Sequence, residues 1–211
     1  MARGVFVTGT DTGVGKTVVS ACLVRRWNAD YWKPAQTGLA AEPGDSETVS
    51  ALTGLPRDRV HRPRHELAAP RSVEAAAALQ GARVELDDFT LPATQHPLVV
   101  EGAGGVLVPL NDRALMVDLM ARLGLPVLLV ARTVLGTINH SLLSLEALRA
   151  RGLHVAGVVF VGTAEPDTAS AIARHGQVPV IGTLPWMTSV SPEALADAAS
   201  LLPAWEQFVL F

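Results

Sequence analysis

VFVTGTDTGVGKT, residues 5–17, is the stretch from which the fold can be predicted. Its first four residues are β-branched or aromatic and predict a strand, while the apolar positions after Thr17 predict a helix. Gly9, Gly13 and Gly15 let the intervening loop turn and bring amide N–H groups onto phosphate oxygens, which the positive end of a helix also favours. The sequence therefore predicts a strand, a phosphate-binding loop and a helix in succession.

Lys16 and Thr17 supply the chemistry of this loop. Lysine here places a mobile positive charge beside the β- and γ-phosphates, and the hydroxyl that follows is suited to Mg²⁺. The usual spacing is G-x-x-x-x-G-K-[ST], and here Gly9 lies one residue further upstream. The residues expected around the triphosphate are Gly13, Val14, Gly15, Lys16, Thr17 and Val18.

The composition is that of an ordinary soluble globular protein. Of the 211 residues 49% are apolar and 18% are charged, with a formal net charge of −3. Neither a basic surface for nucleic acid nor an apolar run long enough to span a membrane is indicated. We expect one domain over residues 1–211, working in the cytoplasm. The single cysteine, Cys22, falls in the first predicted helix and is expected to be a small buried residue.

Lysine is rare in this chain. Of the 17 basic residues 15 are Arg, and the two Lys are Lys16 and Lys33. A compact ammonium is not interchangeable with a planar guanidinium, so both lysines are candidates for function. Lys33 follows a short strand at 31–32, and such strand ends lie beside the phosphate loop in an open α/β sheet. Position alone leaves open whether Lys33 serves the site or is a solvated lysine at a strand end.

Two acidic residues are candidate Mg²⁺ ligands. Glu101 closes the buried strand 97–100 and is followed by glycines, an arrangement in which an acid reaches Mg²⁺ at the phosphates. The alternative interpretation is that Glu101 is an acidic residue at the end of a strand, next to a tight turn, without a role in metal binding. Asp45, in the loop EPGDS, is either the N-cap of the helix 47–52 or a second ligand. His61 and His65 are spaced i, i+4, but without a helix or a third ligand they do not predict a metal site.

Strand and helix patterns alternate along the rest of the chain, which predicts an α/β fold with a mostly parallel sheet covered by helices on both faces. Residues 55–70 are predicted to be irregular or to form a short edge strand. The further strands are predicted at 126–131, 155–161 and 178–184, and the further helices at 72–80, 84–93, 116–123, 137–151 and 166–175. Ser191 as N-cap and Pro192 at the first helical position open a closing helix. The start of helix 137–151 offers free N–H groups suited to a carboxylate.

Four segments in this order resemble the dethiobiotin synthetase family: GTDTGVGKT at 9–17, KPAQTG at 33–38, EGAGG at 101–105 and LGTINH at 135–140. The resemblance spans nearly the whole chain and is weakest over 55–95 and the last 25 residues. It implies a ligase of biotin biosynthesis that closes a cyclic urea on 7,8-diaminopelargonic acid, using CO₂, ATP and Mg²⁺. The implied intermediates are a carbamate and a carbamic-phosphoric anhydride.

The resemblance also implies roles for individual residues. Thr17, Asp45 and Glu101 would hold Mg²⁺, Lys16 would bind the triphosphate, and Lys33 would be the catalytic lysine. Thr12 and Thr37 would contact the substrate. The substrate carboxylate would be bound across a homodimer interface by Gly136, Thr137, Ile138 and Asn139. The positions expected beside the nucleotide are Glu101, Gly102, Ala103, Gly104, Leu184, Pro185 and Trp186.

One departure from the family pattern and one rival class bear on this interpretation. Where better-known members of the family have an Asn that reads adenine, this chain has Val161 and Gly162, so a nucleotide other than ATP is an alternative co-substrate. The rival class is a partition-type switch ATPase, which acts through protein partners. Those proteins carry a lysine early in a K-G-G-x-G-K-T loop, and Asp11 takes that position here, which counts against the rival.

Overall fold

The computed structural model describes residues 3–187 and 189–211, and within them it contains nine strands and eight α-helices. The strands are β1 (Gly4–Gly9), β2 (Asp30–Trp32), β3 (Ala35–Gln36), β4 (Val60–His61), β5 (His65–Glu66), β6 (Leu98–Gly105), β7 (Val127–Arg132), β8 (Val155–Val161) and β9 (Val180–Leu184). The helices are α1 (Lys16–Trp27), α2 (Asp45–Thr53), α3 (Val73–Leu79), α4 (Met116–Leu123), α5 (Thr137–Arg149), α6 (Pro166–Gly176), α7 (Pro192–Ser200) and α8 (Trp205–Phe208).

Seven of these strands form one sheet in the order β4-β2-β6-β1-β7-β8-β9, and every pairing is parallel. The strand β1 lies near the middle, with Val7 opposite Glu101 of β6 on one side and Leu128 of β7 on the other. From β1 the chain first builds outward through β2 and later in the opposite direction through β7. The predicted α/β fold is confirmed, and the carboxyl end of β1 is the switch point where ligands bind in such sheets.

Side chains of the central strands alternate between two cores, one on each face of the sheet. Phe6 joins the core that contains Met116 of α4, whereas Val5 and Val7 join the core that contains Cys22 of α1. Helices α3, α4, α5 and α6 contribute to the first core, and α1, α7 and α8 to the second. Cys22 is fully buried, as predicted, and burial raises the pKa of its thiol to about 12.

The phosphate loop leads directly into α1. Gly15 is the N-cap residue and has φ 99°, a left-handed conformation that glycine adopts without a steric penalty. A Cβ built on Gly15 would also lie 3.1 Å from a γ-carbon of Val161 at the end of β8. The loop glycine therefore provides both the turn and the close approach of β8.

Three predictions about local structure need correction. The weak helix at 84–93 is a single 3₁₀ turn, Leu86–Asp88, because Asp88 bonds to His65 and to the backbone N–H of Glu85 instead of facing solvent. Glu101 does not close its strand, since β6 continues through the glycines to Gly105. Asp45 is the first residue of α2, and Gly44 is its N-cap.

The remaining boundaries differ by small amounts. Helix α4 and strand β8 have the predicted bounds, and α5 ends two residues earlier than expected. The irregular stretch 55–70 contains the edge strand β4, together with β5, which pairs with β3 in a separate two-stranded sheet. Within the described parts of the chain, no helix is long and apolar enough to cross a membrane.

Candidate active site

A cleft of about 820 Å³ opens at the carboxyl ends of β1, β2 and β6. The phosphate loop forms one wall of this cleft. The other walls come from the segment after β2, the start of α2, the segment before α3, the end of β6 and the segment after β9. The structure brings these predicted site residues to the lining: Thr12, Gly13, Gly15, Lys16, Thr17, Val18, Lys33, Thr37, Asp45, Glu101, Ala103, Gly104, Val161, Pro185 and Trp186.

Lys33 is buried at the centre of the site and is 3% exposed. Its ammonium lies 2.6 Å from Asp45 Oδ2 and 3.0 Å from Glu101 Oε1, and it donates a hydrogen bond to the Gly102 carbonyl at 3.0 Å. An ammonium has three hydrogens, so each has a partner here. The alternative that Lys33 is a solvated lysine at a strand end is wrong.

Thr17 connects the same two acids to the phosphate loop. Its hydroxyl oxygen lies 2.9 Å from Asp45 Oδ1 and 3.0 Å from Glu101 Oε1. Neighbouring oxygens around an octahedral Mg²⁺ are about 2.9 Å apart, given metal–oxygen distances near 2.1 Å. The three side chains therefore have the oxygen chemistry that a Mg²⁺ ion requires, and the Thr17 hydroxyl lies at the spacing of a neighbouring ligand from each of the two acids.

This candidate site needs further ligands beyond the side chains. Across residues 3–187 and 189–211, no group of three or more His, Cys, Asp or Glu is placed to hold a metal. Mg²⁺ commonly uses one or two carboxylates and takes its other ligands from water and phosphate. The set of two carboxylates and one hydroxyl fits an ion that arrives with a nucleotide.

Tyr31 and Gln36 hold the acids in place, and the sequence analysis assigned neither of them a role. The fully buried Tyr31 donates its hydroxyl hydrogen to Glu101 Oε2 at 2.9 Å. The Gln36 side-chain oxygen accepts the backbone N–H of Asp45 at 2.9 Å, which anchors the start of α2. Both residues flank Lys33 in the sequence, and Gln36 lies in the KPAQTG segment. That proximity is the signal that would have indicated them.

The charge states follow from burial and from these contacts. Burial alone would lower the pKa of Lys33, but the Glu101 and Asp45 carboxylates outweigh burial and raise it above its ordinary value. Burial alone would raise the pKa of the Asp45 carboxyl, and the Lys33 ammonium holds it below its ordinary value. Burial and the neighbouring Glu101 raise the pKa of Tyr31 well above its usual value, so Tyr31 remains a neutral donor. The centre is therefore an ammonium between two carboxylates.

Lys16 differs from Lys33 because, in the part of the chain that the structure describes, no carboxylate contacts its ammonium directly. It donates a hydrogen bond to the Asp11 carbonyl at 2.9 Å. Burial, and next the charge of Lys33, lower its pKa from 10.5 to about 8. Lys16 therefore begins to lose its charge in the free protein just above neutral pH.

We expect the affinity for ATP to fall as the pH rises through 8. Below this pKa Lys16 is already charged, whereas above it the triphosphate must drive uptake of a proton. The loss approaches tenfold in affinity for each pH unit above the pKa. Isothermal titration calorimetry from pH 7 to 9.5, in buffers of different ionisation enthalpy, measures both affinity and proton uptake. Lys16→Gln should bind more weakly without this pH dependence; an equal dependence in both proteins would contradict the assignment.

Several predicted positions lie outside the cleft lining. Val14 and Leu184 are buried in a core, while Gly102 contributes the carbonyl that accepts from Lys33. Gly162 lies beside Leu184 and donates its backbone N–H to the Leu184 carbonyl at 2.9 Å. Gly136, Ile138 and Asn139 are exposed at the start of α5 and do not line this cleft, and Thr137 is buried beside them.

The chain is similar to known proteins along most of its length. A family described as an AAA domain matches residues 3–194. The chain is 49% identical to the ATP-dependent dethiobiotin synthetase BioD of Brucella ovis over 92% of each chain. It is also 49% identical to the protein of that name from Paramagnetospirillum magneticum, over 92% of this chain and 93% of the relative. The biotin biosynthesis bifunctional protein BioCD of Bordetella avium is 54% identical over 98% of this chain, which spans 44% of that longer protein.

Solved structures resemble the chain in fold. A ParA family ATPase from Chlorobium tepidum matches with a TM-score of 0.56 and 12% identity, covering 94% of this chain and 98% of the other. The septum site-determining protein MinD of Pyrococcus horikoshii, in complex with Mg-ADP, matches with a TM-score of 0.54 and 12% identity, over 99% and 89% of the chains. At this identity the likeness concerns the architecture alone.

Proposed function

The chain belongs to the family of ATP-dependent dethiobiotin synthetases, ligases of biotin biosynthesis, and we propose that its cleft closes the cyclic urea of dethiobiotin on 7,8-diaminopelargonic acid with CO₂ and ATP. The observation that carries this proposal is the contact of one buried ammonium, Lys33, with the two acids that also contact the phosphate-loop hydroxyl of Thr17. A nucleotide site and an amine-chemistry site are thereby joined.

The proposed reaction has three steps. One substrate amine captures CO₂ as a carbamate and releases a proton. A carbamate oxygen then attacks the γ-phosphorus of ATP, which forms the carbamic-phosphoric anhydride and releases ADP. The second amine attacks the carbonyl carbon, closes the five-membered urea and expels inorganic phosphate. Negative charge develops on the carbamate and on the transferred phosphoryl group, so the site must stabilise anions in both places.

Lys16 and Lys33 are the residues proposed to meet these charges. Lys16, at the start of α1, faces the phosphates with the amides of residues 13–18. Asp45 and Glu101 would hold Mg²⁺, and the Lys33 ammonium, which now contacts both carboxylates, would then be available to the carbamate. Bound Mg²⁺ would neutralise charge on the phosphates and polarise the phosphorus for attack. Thr12 and Thr37, on the same cleft, are proposed to position the diamine.

Recognition of the nucleotide base is proposed to depend on Val161, Pro185 and Trp186, which line the end of the cleft beside the phosphate loop. Val161 packs against Gly15 and has no amide to read adenine. Trp186 is 58% exposed and offers a surface on which any base can stack. ATP is the co-substrate of the family, and we propose that CTP and GTP are also accepted.

The exposed start of α5 is proposed to act in a homodimer. Exposed apolar side chains cluster in sequence around it, and such a patch is typical of a subunit interface. They are Val134, Leu135, Ile138 and Leu143. The Thr137 N–H donates to the Val134 carbonyl at 3.1 Å, so the N–H groups of Gly136, Ile138 and Asn139 are the ones that would reach the substrate carboxylate in the cleft of the partner subunit. We propose that this dimer works in the cytoplasm.

We expect Leu143→Asp to give a monomer with kcat/KM at least tenfold lower. Leu143 is 56% exposed on α5, so in the dimer its carboxylate would be buried without a partner. Leu201→Asp is the matched control, because Leu201 is 55% exposed next to α7, on the opposite face of the sheet. Sedimentation equilibrium and steady-state kinetics measure the outcome; a fully active Leu143→Asp monomer would refute the shared site.

The function itself is tested with purified protein, 7,8-diaminopelargonic acid, bicarbonate and Mg²⁺, following dethiobiotin by mass spectrometry. Parallel reactions contain ATP, CTP or GTP. We expect product with each nucleotide and rates that differ by less than about tenfold. Strong discrimination between bases needs polar contacts to the base, and Val161 has no side-chain amide to make them. Nucleotide hydrolysis without dethiobiotin would remove the proposal and favour a switch ATPase.

A further inference from the structure

Arg71 is a cation in the cleft that the proposed reaction leaves without a role. It lines the cleft immediately before α3 and is exposed at the opening. Among the residues that the structure describes, its guanidinium has neither an ion-pair partner nor a hydrogen-bond acceptor. Arg132, near the phosphate loop, is by contrast paired with Asp11 at 3.5 Å and lies 3.4 Å from the Thr12 carbonyl.

The backbone around Arg71 is fixed to both sides of the cleft. Gly38 donates its N–H to the Ala69 carbonyl at 3.0 Å, and Glu74 donates to the Pro109 carbonyl at 3.4 Å. The Ser72 side chain caps α3 by accepting the N–H of Ala75 at 3.3 Å. The backbone at Arg71 is therefore fixed, and its long, flexible side chain can extend from this point into the cleft opening.

Two lysines already supply positive charge at the buried end of the cleft. Lys33 and Lys16 are 3% and 7% exposed and already face the positions proposed for the carbamate and the phosphates. Arg71 lies at the opening, where a different anionic group of a substrate would emerge. The proposed diamine has such a group, because its carboxyl carbon is six bonds from the carbon that bears the nearer amine, or about 7–8 Å in an extended chain.

We propose that Arg71 binds the terminal carboxylate of the diamine substrate and thereby selects diamines with an acidic tail. This inference rests on the proposed function and adds a determinant of specificity to it. A guanidinium matches a carboxylate with two parallel hydrogen bonds. The carboxylate also has lone pairs left for the N–H groups of the partner subunit's helix start. The helix start supplies donors, and Arg71 supplies a full charge.

The first test compares wild-type protein with Arg71→Met and Arg71→Lys. We expect Arg71→Met to raise the KM for 7,8-diaminopelargonic acid about 10- to 100-fold, as loss of a charged hydrogen bond does. The kcat and the KM for ATP should stay within about twofold, because the carboxylate binds equally in the ground and transition states. Arg71→Lys should recover part of the loss. Arg57→Met is the matched control, since Arg57 is exposed outside the cleft.

The second test uses 2,3-diaminononane, which keeps the vicinal amines and chain length but has a methyl group in place of the carboxylate. Wild type and Arg71→Met should process it with equal, low kcat/KM. A persistent penalty in Arg71→Met would show that Arg71 acts elsewhere and would overturn the inference. An unchanged KM for 7,8-diaminopelargonic acid, or a raised KM for ATP, would overturn it as well. If wild-type protein forms no dethiobiotin, the proposed function fails first, which is a distinguishable result.

Discussion

Replacement of Lys33 by Arg is expected to lower kcat at least 10³-fold while the protein remains folded. The substitution keeps the positive charge, but a planar guanidinium does not fit a space in which three acceptors lie 2.6–3.0 Å from one nitrogen. Removal of one preorganised donor from a reacting oxyanion costs about 10²–10³ in rate, and here the carboxylates proposed to hold Mg²⁺ would move too. Single-turnover formation of dethiobiotin measures the loss.

A second variant, Lys33→Met, tests the role of the Lys33 charge in stability, separately from its role in turnover. Lys33→Met removes the charge and leaves Asp45 and Glu101 facing one another without a counter-ion, which should destabilise the free protein. Millimolar Mg²⁺ without nucleotide should then raise the melting temperature of Lys33→Met more than that of wild type. Arg57→Lys is the control for Lys33→Arg, because it also exchanges lysine and arginine but at an exposed position outside the cleft. If Lys33→Arg kept more than a tenth of wild-type turnover, Lys33 would not be the catalytic lysine.

Glu101→Gln is expected to lower kcat about 10²- to 10³-fold and to raise the Mg²⁺ concentration needed for half-maximal activity. The amide retains the shape of the side chain but loses the charge that balances Lys33 and would bind the metal. Initial rates over a Mg²⁺ titration at saturating ATP give both quantities. Tyr31→Phe is the control, because it removes the hydroxyl that supports the other carboxylate oxygen and leaves the charge in place.

The two variants should differ in kind. Tyr31→Phe is expected to lose less than tenfold in kcat and to keep the wild-type Mg²⁺ requirement, because a supporting hydrogen bond contributes only about 1 kcal/mol. Equal losses in both variants would mean that the position of Glu101, and not its charge, matters for turnover. Wild-type activity of Glu101→Gln at any Mg²⁺ concentration would remove Glu101 from the metal site.

The architecture was predictable because strand and helix patterns alternate along the chain. The longer buried strands are short apolar runs that alternate with helix patterns, so a mostly parallel sheet covered on both faces was predicted, whereas the order of its strands was not. The separate pairing of β3 with β5 was not predictable. Each of these strands has only two residues, and no periodicity distinguishes such a pair from a loop.

The candidate site was predictable where motifs lie at strand ends and was missed where it depends on tertiary contacts. Lys16, Thr17 and Glu101 are indicated by their own segments, and the structure brings them together. Whether Lys33 was buried or solvated depended on Asp45, twelve residues away, which no local pattern links to it. Arg71 follows a stretch without periodicity, and its place on the cleft arises from backbone bonds to Gly38 and Pro109.

The three occupied hydrogens of Lys33 imply an order of events in a catalytic cycle. While the carboxylates of Asp45 and Glu101 hold the ammonium, a newly arrived carbamate has no cation to meet it at this point. In the proposed reaction, Mg²⁺ that came with the nucleotide would take these carboxylates as ligands and leave the Lys33 ammonium free. Under this proposal the amine substrate would meet a free ammonium only after the nucleotide had bound, and the ion pair would disfavour formation of the carbamate where no phosphoryl donor is present.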